Sequence, residues 1–168
     1  MIDWFKRLTA VWALVAVAAC GGSDDPKPTP TVVGVAQADP QFSILVEAVV
    51  AADLATTLSA AGPYTVFAPT NNAFADLLVE LNTDKATLLA NKPLLTKVLT
   101  YHVLGAKVLK AAVPIGTPIT TLEGETFSVD AGLAITDQRG RKANITATDI
   151  AASNGVVHVI DKVILPAP

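Results

Sequence analysis

The sequence predicts an α+β fold, because helical and strand patterns occupy different halves of the chain. Up to Tyr101, apolar residues recur mostly at helical spacing. After Tyr101, glycine and threonine become frequent, and short β-prone runs alternate with turn residues. A doubly wound sheet would instead alternate strands with helices along the whole chain. The length of 168 residues and the hydrophobic content of 51% are consistent with one folded domain.

Capping and helix-breaking residues divide the first half. Asp39-Pro40 favours the start of a helix whose apolar stripe continues to Leu58, and Gly62-Pro63 is expected to end it. A short apolar strand is predicted over Thr65–Ala68, ended by Pro69. Three further helical segments are predicted: one capped by Thr70, Asn71 or Asn72, a short one over Asp84–Ala90, and one that begins at Pro93.

Short strands dominate the second half, and turn signals separate some of them. Glu123-Gly124 and Asn154-Gly155 are dipeptides typical of tight turns. The last run is apolar on nearly both faces, which favours the centre of a packed unit. The predicted strands are His102–Leu104, Ile119–Leu122, Thr126–Val129, Ala134–Thr136, Asn144–Thr148 and Val156–Leu165.

Residues 1–19 are predicted to be a lipoprotein signal peptide. Lys6 and Arg7 precede the uncharged stretch Leu8–Ala19, which is too short to cross a bilayer that needs about 20 apolar residues. The string Val17-Ala18-Ala19-Cys20 resembles a bacterial lipobox, in which the cysteine becomes the lipidated first residue of the mature protein. An ordinary secretory signal that happens to contain a cysteine is the alternative.

The chain after the signal is predicted to consist of a tether and a domain. Residues 20–31 comprise Cys20 and a spacer rich in glycine, proline and aspartate, and residues 32–168 form the folded unit. We expect an exported protein of the bacterial cell envelope, anchored by a lipid on Cys20 to the outer membrane or cell surface, with a periplasm-facing position as a further option. Because 12 Lys and Arg face 15 Asp and Glu, a nucleic-acid partner is not expected.

Catalytic and ligand-binding motifs are sparse in the sequence. Common nucleophile, phosphate-binding and zinc motifs are missing, so we predict no catalytic residues, no metal and no cofactor. His102 and His158 both lie in apolar runs, and we interpret them as core histidines with satisfied ring nitrogens. Metal binding and acid–base catalysis are the alternatives for them. Asp137–Lys142 carries three cations and is expected to be an exposed hairpin tip, where an anionic polymer could make a weak contact.

Three segments resemble the signatures of one known family. Thr65–Phe74 resembles the first signature of fasciclin domains, and Tyr101–Leu104 resembles their central tyrosine-histidine motif. Asn154–Pro166 is similar to their closing signature. The order and spacing of the segments agree with the family, and the resemblance covers Val32–Pro168.

The resemblance implies a single-domain, fasciclin-like wedge or sandwich of short β-strands flanked by several α-helices. It also implies that the first and closing signatures lie next to each other. Both signatures are strongly apolar, so we interpret their residues as scaffold in preference to an active site.

The resemblance also implies a function and a set of contact residues. Family members are mostly secreted or surface-anchored adhesion modules without enzymatic activity. Their recognition residues correspond here to Asp149-Ile150 and to Tyr101-His102 with its aliphatic neighbours. The candidate partner-binding residues are therefore Asp149, Ile150, Tyr101 and His102. The alternative is that they are inherited structure, with Asp149 serving to turn the chain.

These observations favour a non-enzymatic binding or adhesion module of the cell envelope. Its partner would be a surface protein, a polysaccharide or a neighbouring cell. The resemblance also implies an alternative, a carrier of a small apolar ligand or pigment, because some fasciclin-like proteins are associated with such ligands. An enzyme is a third hypothesis, and it has no motif to support it.

Overall fold

The computed structural model describes residues 29–168. The predicted signal peptide, Cys20 and the spacer up to residue 28 lie outside the described residues. Within the described part, none of the helices combines the length and apolarity needed to span a bilayer.

Among the described residues, helices predominate in the first half and strands in the second, as the sequence predicts, with one strand at Tyr64–Pro69 among the helices. The helices are α1 (Val32–Ala38), α2 (Ser43–Ala51), α3 (Ala55–Ser59), α4 (Asn71–Glu80), α5 (Lys85–Ala90) and α6 (Lys92–Tyr101), with short 3₁₀ turns at Pro40–Phe42 and Lys110–Ala112. The strands are β1 (Tyr64–Pro69), β2 (Val103–Leu104), β3 (Pro118–Thr120), β4 (Thr126–Val129), β5 (Ala134–Thr136), β6 (Lys142–Ala152) and β7 (Gly155–Ile160).

The strands form one sheet in the order β2-β1-β7-β6-β5-β4-β3. Neighbours in it are antiparallel except β1 and β7, which run parallel from Tyr64↔Gly155 to Pro69↔Ile160. All six residues of β7 and five of the six in β1 are buried. The first and closing signatures therefore lie side by side at the centre of the fold, as expected.

The sheet curls until its two edges approach each other. The Leu122 amide, just after β3, donates to the Val103 carbonyl in β2 at 2.7 Å. The Tyr101 hydroxyl donates to the Thr126 carbonyl at 2.8 Å, which joins the end of α6 to β4. These contacts cover part of the edges, where unpaired backbone groups would otherwise invite pairing with another chain.

The first predicted helix is wrong in its extent. Instead of one helix from Asp39-Pro40 to Leu58, the structure has a 3₁₀ turn, α2 and α3. Asp53 ends α2 in the left-handed region at φ 58°, and its amide and that of Leu54 bond to the carbonyls of Val50 and Val49. This is a Schellman ending, which the apolar stripe does not reveal because it depends on backbone geometry. Helix α1, capped by Thr31, is absent from the sequence prediction.

Helix caps in the rest of the first half agree with the prediction. Among the three candidates for α4, Thr70 is the cap, because its hydroxyl accepts from the Ala73 amide. Asp84 caps α5, and Asn91 caps α6 just before Pro93. The Asn71 side chain instead accepts from the Ile44 amide and donates to the Pro40 carbonyl, which ties α4 to the start of α2.

The turn at Asn154-Gly155 is confirmed, and it also joins distant parts of the chain. The Asn154 side chain accepts from the Val32 amide at 2.9 Å and donates to the carbonyls of Leu58 and Ala60 at 2.8 Å. A Cβ atom at Gly155 would clash with the backbone of Tyr64. Glycine is therefore required there by the close approach of β1.

The last two strands differ in length from the prediction. Strand β6 covers Lys142–Ala152 instead of Asn144–Thr148, and β7 ends at Ile160 instead of Leu165. The chain turns at Asp161, whose carboxylate accepts from the Asn144 amide at 2.7 Å. Beyond the turn, residues 163–166 are buried without regular structure, since side chains of other segments satisfy their backbone.

Candidate functional site

A β-bulge in β6 determines the position of Asp149. The pairing of β6 with β7 shifts register between Ala147 and Ile150. Within that shift Asp149 adopts φ 59°, a left-handed conformation that is uncommon for residues other than glycine. Its amide donates to the Nδ1 atom of His158 at 3.2 Å. The bulge thus turns the Asp149 side chain out of the regular pleat.

The His158 ring holds the bulge from inside the protein. The residue is fully buried on β7, and its ring lies 5.4 Å from that of Phe67 between centroids. Because Nδ1 accepts the Asp149 amide, the neutral ring carries its proton on Nε2. That Nε2–H donates to the Val108 carbonyl at 2.9 Å. One buried imidazole therefore connects β6 with the segment after β2.

Two further side chains fix that segment, which we call the pinned loop (residues 105–110). The Thr65 hydroxyl donates to the Ala106 carbonyl at 2.6 Å and accepts from the Val108 amide at 2.8 Å. The Asp149 Oδ1 atom accepts from the Lys110 amide at 2.8 Å. Thr65, His158 and Asp149 together hold the loop, so its tip is presented in a defined conformation.

The exposed face of this assembly is here called the Asp149 surface, formed by Asp149 and the pinned loop. Asp149 is exposed, and its Oδ2 atom has no hydrogen-bond partner among residues 29–168. Leu109 in the loop is 44% exposed, and Lys107 and Lys110 of the same loop are also exposed. The surface therefore offers a carboxylate oxygen, two ammonium groups and an apolar side chain, which are complementary to a partner with both signs of charge and an apolar group.

Ile150 and the Tyr101-His102 pair lie differently from Asp149. Ile150 is partly buried against the helical side of the core. Tyr101 is 0% exposed and His102 is 2% exposed. The side chains of Tyr101 and His102 bond to Thr126, Val98 and Ile164, whereas Asp149 bonds to His158 through its amide and to Lys110 through its carboxylate. The structure does not bring the two candidate pairs into one site.

His102 serves as a clamp on the closing segment. Its Nε2 atom accepts from the Ile164 amide at 3.1 Å, and its Nδ1–H donates to the Val98 carbonyl at 2.7 Å. Burial lowers the pKa of His102 to about 4, although the bond to Val98 acts in the opposite direction. Burial also raises the pKa of the Tyr101 phenol. The interpretation of His102 and His158 as core histidines with satisfied ring nitrogens is confirmed.

The predicted exposed tip at Asp137–Lys142 is only partly correct. It connects β5 to β6, but Asp137 is buried, and its carboxylate accepts from the amides of Arg139, Arg141 and Leu165 at 2.9–3.0 Å. Arg141 pairs with that carboxylate at 3.0 Å and with Glu80 at 2.9 Å. An aspartate that begins a turn is a known signal for side-chain bonding to the next amides, and that signal could have found the bonds to Arg139 and Arg141 but not those to distant segments.

Comparison with known proteins now identifies the family. A family model described as the fasciclin domain matches residues 40–166. The chain belongs to the fasciclin-domain family. This establishes the family that the three sequence signatures indicate.

Relatives of this fasciclin domain occur in bacteria and animals. Protein sll1483 of Synechocystis is 50% identical over 139 residues, covering 81% of this chain and 73% of that protein. The uncharacterized protein sll1735 of the same organism is 41% identical over 138 residues, covering 81% and 98%. Transforming growth factor-beta-induced protein ig-h3 of Sus scrofa is 35% identical over 139 residues, covering 83% of this chain but 20% of that protein.

The fold itself is shared with a solved structure. A FAS1 domain pair from the insect cell adhesion molecule fasciclin I superimposes with a TM-score of 0.72 at 17% identity, covering 82% of this chain and 51% of that one. At this identity the comparison shows the fold alone, and it confirms the predicted α+β architecture. Among the described residues of this fasciclin domain, no group of three His, Cys, Asp or Glu side chains could hold a metal ion.

Proposed function

We propose that this fasciclin domain is a non-enzymatic binding module that contacts its partner through the Asp149 surface. The observation that carries the proposal is the placement of Asp149. A bulge directs its side chain outward, and buried side chains hold both its backbone and the neighbouring loop. A recognition site built on a rigid support loses little conformational entropy on binding.

The relatives support a role in binding at the cell surface. Fasciclin I is described as a cell adhesion molecule, and this chain shares its fold. Ile150 contributes to the proposed contact by anchoring the bulge to the core. For the buried Tyr101 and His102, we propose an indirect effect on binding through the fold, because neither side chain reaches the surface.

The chemistry of the Asp149 surface indicates which class of partner it can bind. The unpaired carboxylate oxygen favours a cationic group, Lys107 and Lys110 favour an acidic group, and Leu109 favours an apolar contact. A surface protein with cationic, acidic and apolar side chains meets all three requirements. A polysaccharide with amino groups, on the envelope or on a neighbouring cell, meets the first.

We further propose that a lipid on Cys20 holds the domain on the outer membrane or cell surface. The motivation is the lipobox-like string before Cys20 and the spacer after it. Cys20→Ser is expected to release the protein or to leave its signal uncleaved, as seen by membrane fractionation and intact mass. A membrane-bound, processed Cys20→Ser protein would refute lipidation as the anchor.

The experiment that tests the contact surface is a charge substitution at Asp149. Asparagine tolerates a positive φ and still accepts the Lys110 amide, so Asp149→Asn removes the charge with little change of shape. We expect cell aggregation or partner capture to fall about tenfold, the effect of about 1.4 kcal/mol. Asp76→Asn is the matched control, because Asp76 is exposed on α4 and the charge change is the same. Equal loss in both variants, or in neither, would contradict the proposal.

The carrier hypothesis receives less support from the interior. The apolar cavity between α1, α2, β1 and α6 has a volume of about 30 Å³. A cavity of this volume has room for about two or three water molecules, so it does not admit a pigment in this conformation. Native mass spectrometry and an absorbance spectrum of protein purified from its own envelope test the alternative. A stoichiometric extra mass would favour the carrier.

A further inference from the structure

A second apolar cavity lies between α4, α5, α6 and the closing segment, away from the residues of the Asp149 surface. Its volume is about 100 Å³. The buried part of its wall includes Phe74, Leu95 and Leu165. Its more exposed wall residues are Leu81, Leu94 and Arg139, so these form the mouth. We call this cavity the helical pocket.

We propose that the helical pocket binds a short branched-chain carboxylate, with the alkyl group inside and the carboxylate on Arg139. This site is independent of the proposed contact at Asp149. The inference rests on the volume and lining of the pocket, and on a single guanidinium at its mouth.

The volume of the pocket selects the size of the apolar group. An engineered cavity of about 150 Å³ lined by Leu, Ile and Phe binds benzene. The helical pocket has about two-thirds of that volume and a similar lining. An isobutyl group is smaller than a benzene ring and suits the space, whereas a long acyl chain or a pigment exceeds it.

Arg139 supplies the polar end of the site. Its Nε–H donates to the Pro166 carbonyl at 3.0 Å, which fixes the plane of the guanidinium. The two terminal nitrogens have no hydrogen-bond or ion-pair partner among residues 29–168. A guanidinium with free terminal N–H groups can bind a carboxylate through parallel hydrogen bonds.

The neighbouring charged side chains that the structure describes do not bind the terminal nitrogens of Arg139. Arg141 is fully occupied by Asp137, Glu80 and the Val163 carbonyl. The bond from the Ala167 amide lowers the pKa of Glu125, with smaller contributions from Lys97, which pairs with it at 3.1 Å, and from Arg139. No described carboxylate therefore bonds to the terminal nitrogens of Arg139, and the nearby charge of Glu125 weakens the binding of a ligand carboxylate there.

The test is an NMR titration of isovalerate into the full chain, with leucine and valine methyl groups labelled. A ligand of about seven non-hydrogen atoms binds weakly, so we expect a dissociation constant of about a millimolar. Saturable shifts should be confined to pocket methyls such as those of Leu81, Leu94 and Leu165. Isovaleramide has the same shape without the charge, and we expect it to bind about tenfold more weakly.

Variants separate the two halves of the proposal. Arg139→Gln should reduce the affinity for isovalerate to that for isovaleramide. Retained binding of isovaleramide would show that the pocket of this variant is intact. Lys142→Gln is the matched control, since it removes a cation next to the same turn. It should change the affinity for neither isovalerate nor isovaleramide. Leu94→Phe should fill the pocket and abolish the binding of both isovalerate and isovaleramide. Asp149→Asn should bind isovalerate normally, so failure of this site and failure of the contact surface are distinguishable.

Two results would overturn the inference. Equal affinity for isovalerate and isovaleramide in the unsubstituted protein would show that Arg139 does not bind the ligand carboxylate. Absence of saturable methyl shifts at tens of millimolar ligand would eliminate the pocket as a binding site.

Discussion

Asp137 lies in the turn before β6 and Asp149 lies within β6, and their carboxylates have opposite roles. Asp137, in the turn that leads into β6, has a fully buried side chain that is bound by three amides and by Arg141. Asp149, in the bulge of β6, is exposed and bonds one amide through one oxygen. A carboxylate becomes available for recognition when other side chains, here Thr65 and His158, supply most of the bonds that hold the local structure.

The largest effect is expected where the buried carboxylate is removed. Asp137→Ala leaves three amides and part of the Arg141 guanidinium without partners, so the free energy of unfolding should fall by about 4 kcal/mol. Urea unfolding measures this change. Glu80→Gln, which removes only the exposed partner of Arg141, should cost about 1 kcal/mol or less. Similar losses in the two variants would contradict the assigned role of Asp137.

A second prediction concerns pH, and it tests the other clamp on the closing segment. Burial lowers the pKa of His102 to about 4, whereas the unfolded chain takes up the proton near 6.5. The unfolded state therefore binds more protons between these values, and stability falls as the pH drops from 6.5 to 4. The full loss is about 3 kcal/mol, from about 1.4 kcal/mol for each pH unit. Urea unfolding across this range measures it.

A matched variant isolates His102 in that experiment. His102→Gln retains an acceptor for the Ile164 amide and cannot titrate, so its stability should depend less on pH over the same window. Hydrogen bonds from backbone amides lower the pKa values of Asp84 and Asp130, whose contributions are present above their unfolded pKa and are lost only in stronger acid. An unchanged pH slope in His102→Gln would show that another group controls the transition.

The third prediction has a smaller effect on stability. It concerns His158, which connects the bulge in β6 to the pinned loop. His158→Phe preserves the ring stack on Phe67 but leaves the Asp149 amide and the Val108 carbonyl without partners. We expect about 2 kcal/mol less stability and faster hydrogen exchange at the Asp149 and Lys110 amides. His158→Gln offers both an acceptor and a donor and should restore part of the protection. Equal exchange in both variants would mean that the ring does not hold the loop.

The sequence predicts the fold better than it predicts the bonding around these groups. The resemblance to the family signatures places β1 beside β7, and capping residues place α4, α5 and α6 close to their observed starts. The break at Asp53 and the bulge at Asp149 depend on left-handed backbone at non-glycine residues, which carries little sequence signal. The partners of Asp137 and of its ion-pair partner Arg141 come in part from α4 and the closing segment, so no local pattern reveals that Asp137 is buried.

The smallest expected change in the free energy of unfolding is at Asp149 itself. It tests whether the Asp149 carboxylate, unlike that of Asp137, contributes little to the stability of the fold. Asp149→Gly removes the strain of a positive φ but also removes the bond from the Lys110 amide, so the two changes should nearly cancel, within about 1 kcal/mol. Partner binding should still fall by about tenfold, because the carboxylate is gone. Urea unfolding and partner capture on the same preparation measure the two quantities. A stability loss as large as that of Asp137→Ala would mean that the bulge needs its carboxylate for structure, and both aspartates would then be scaffold.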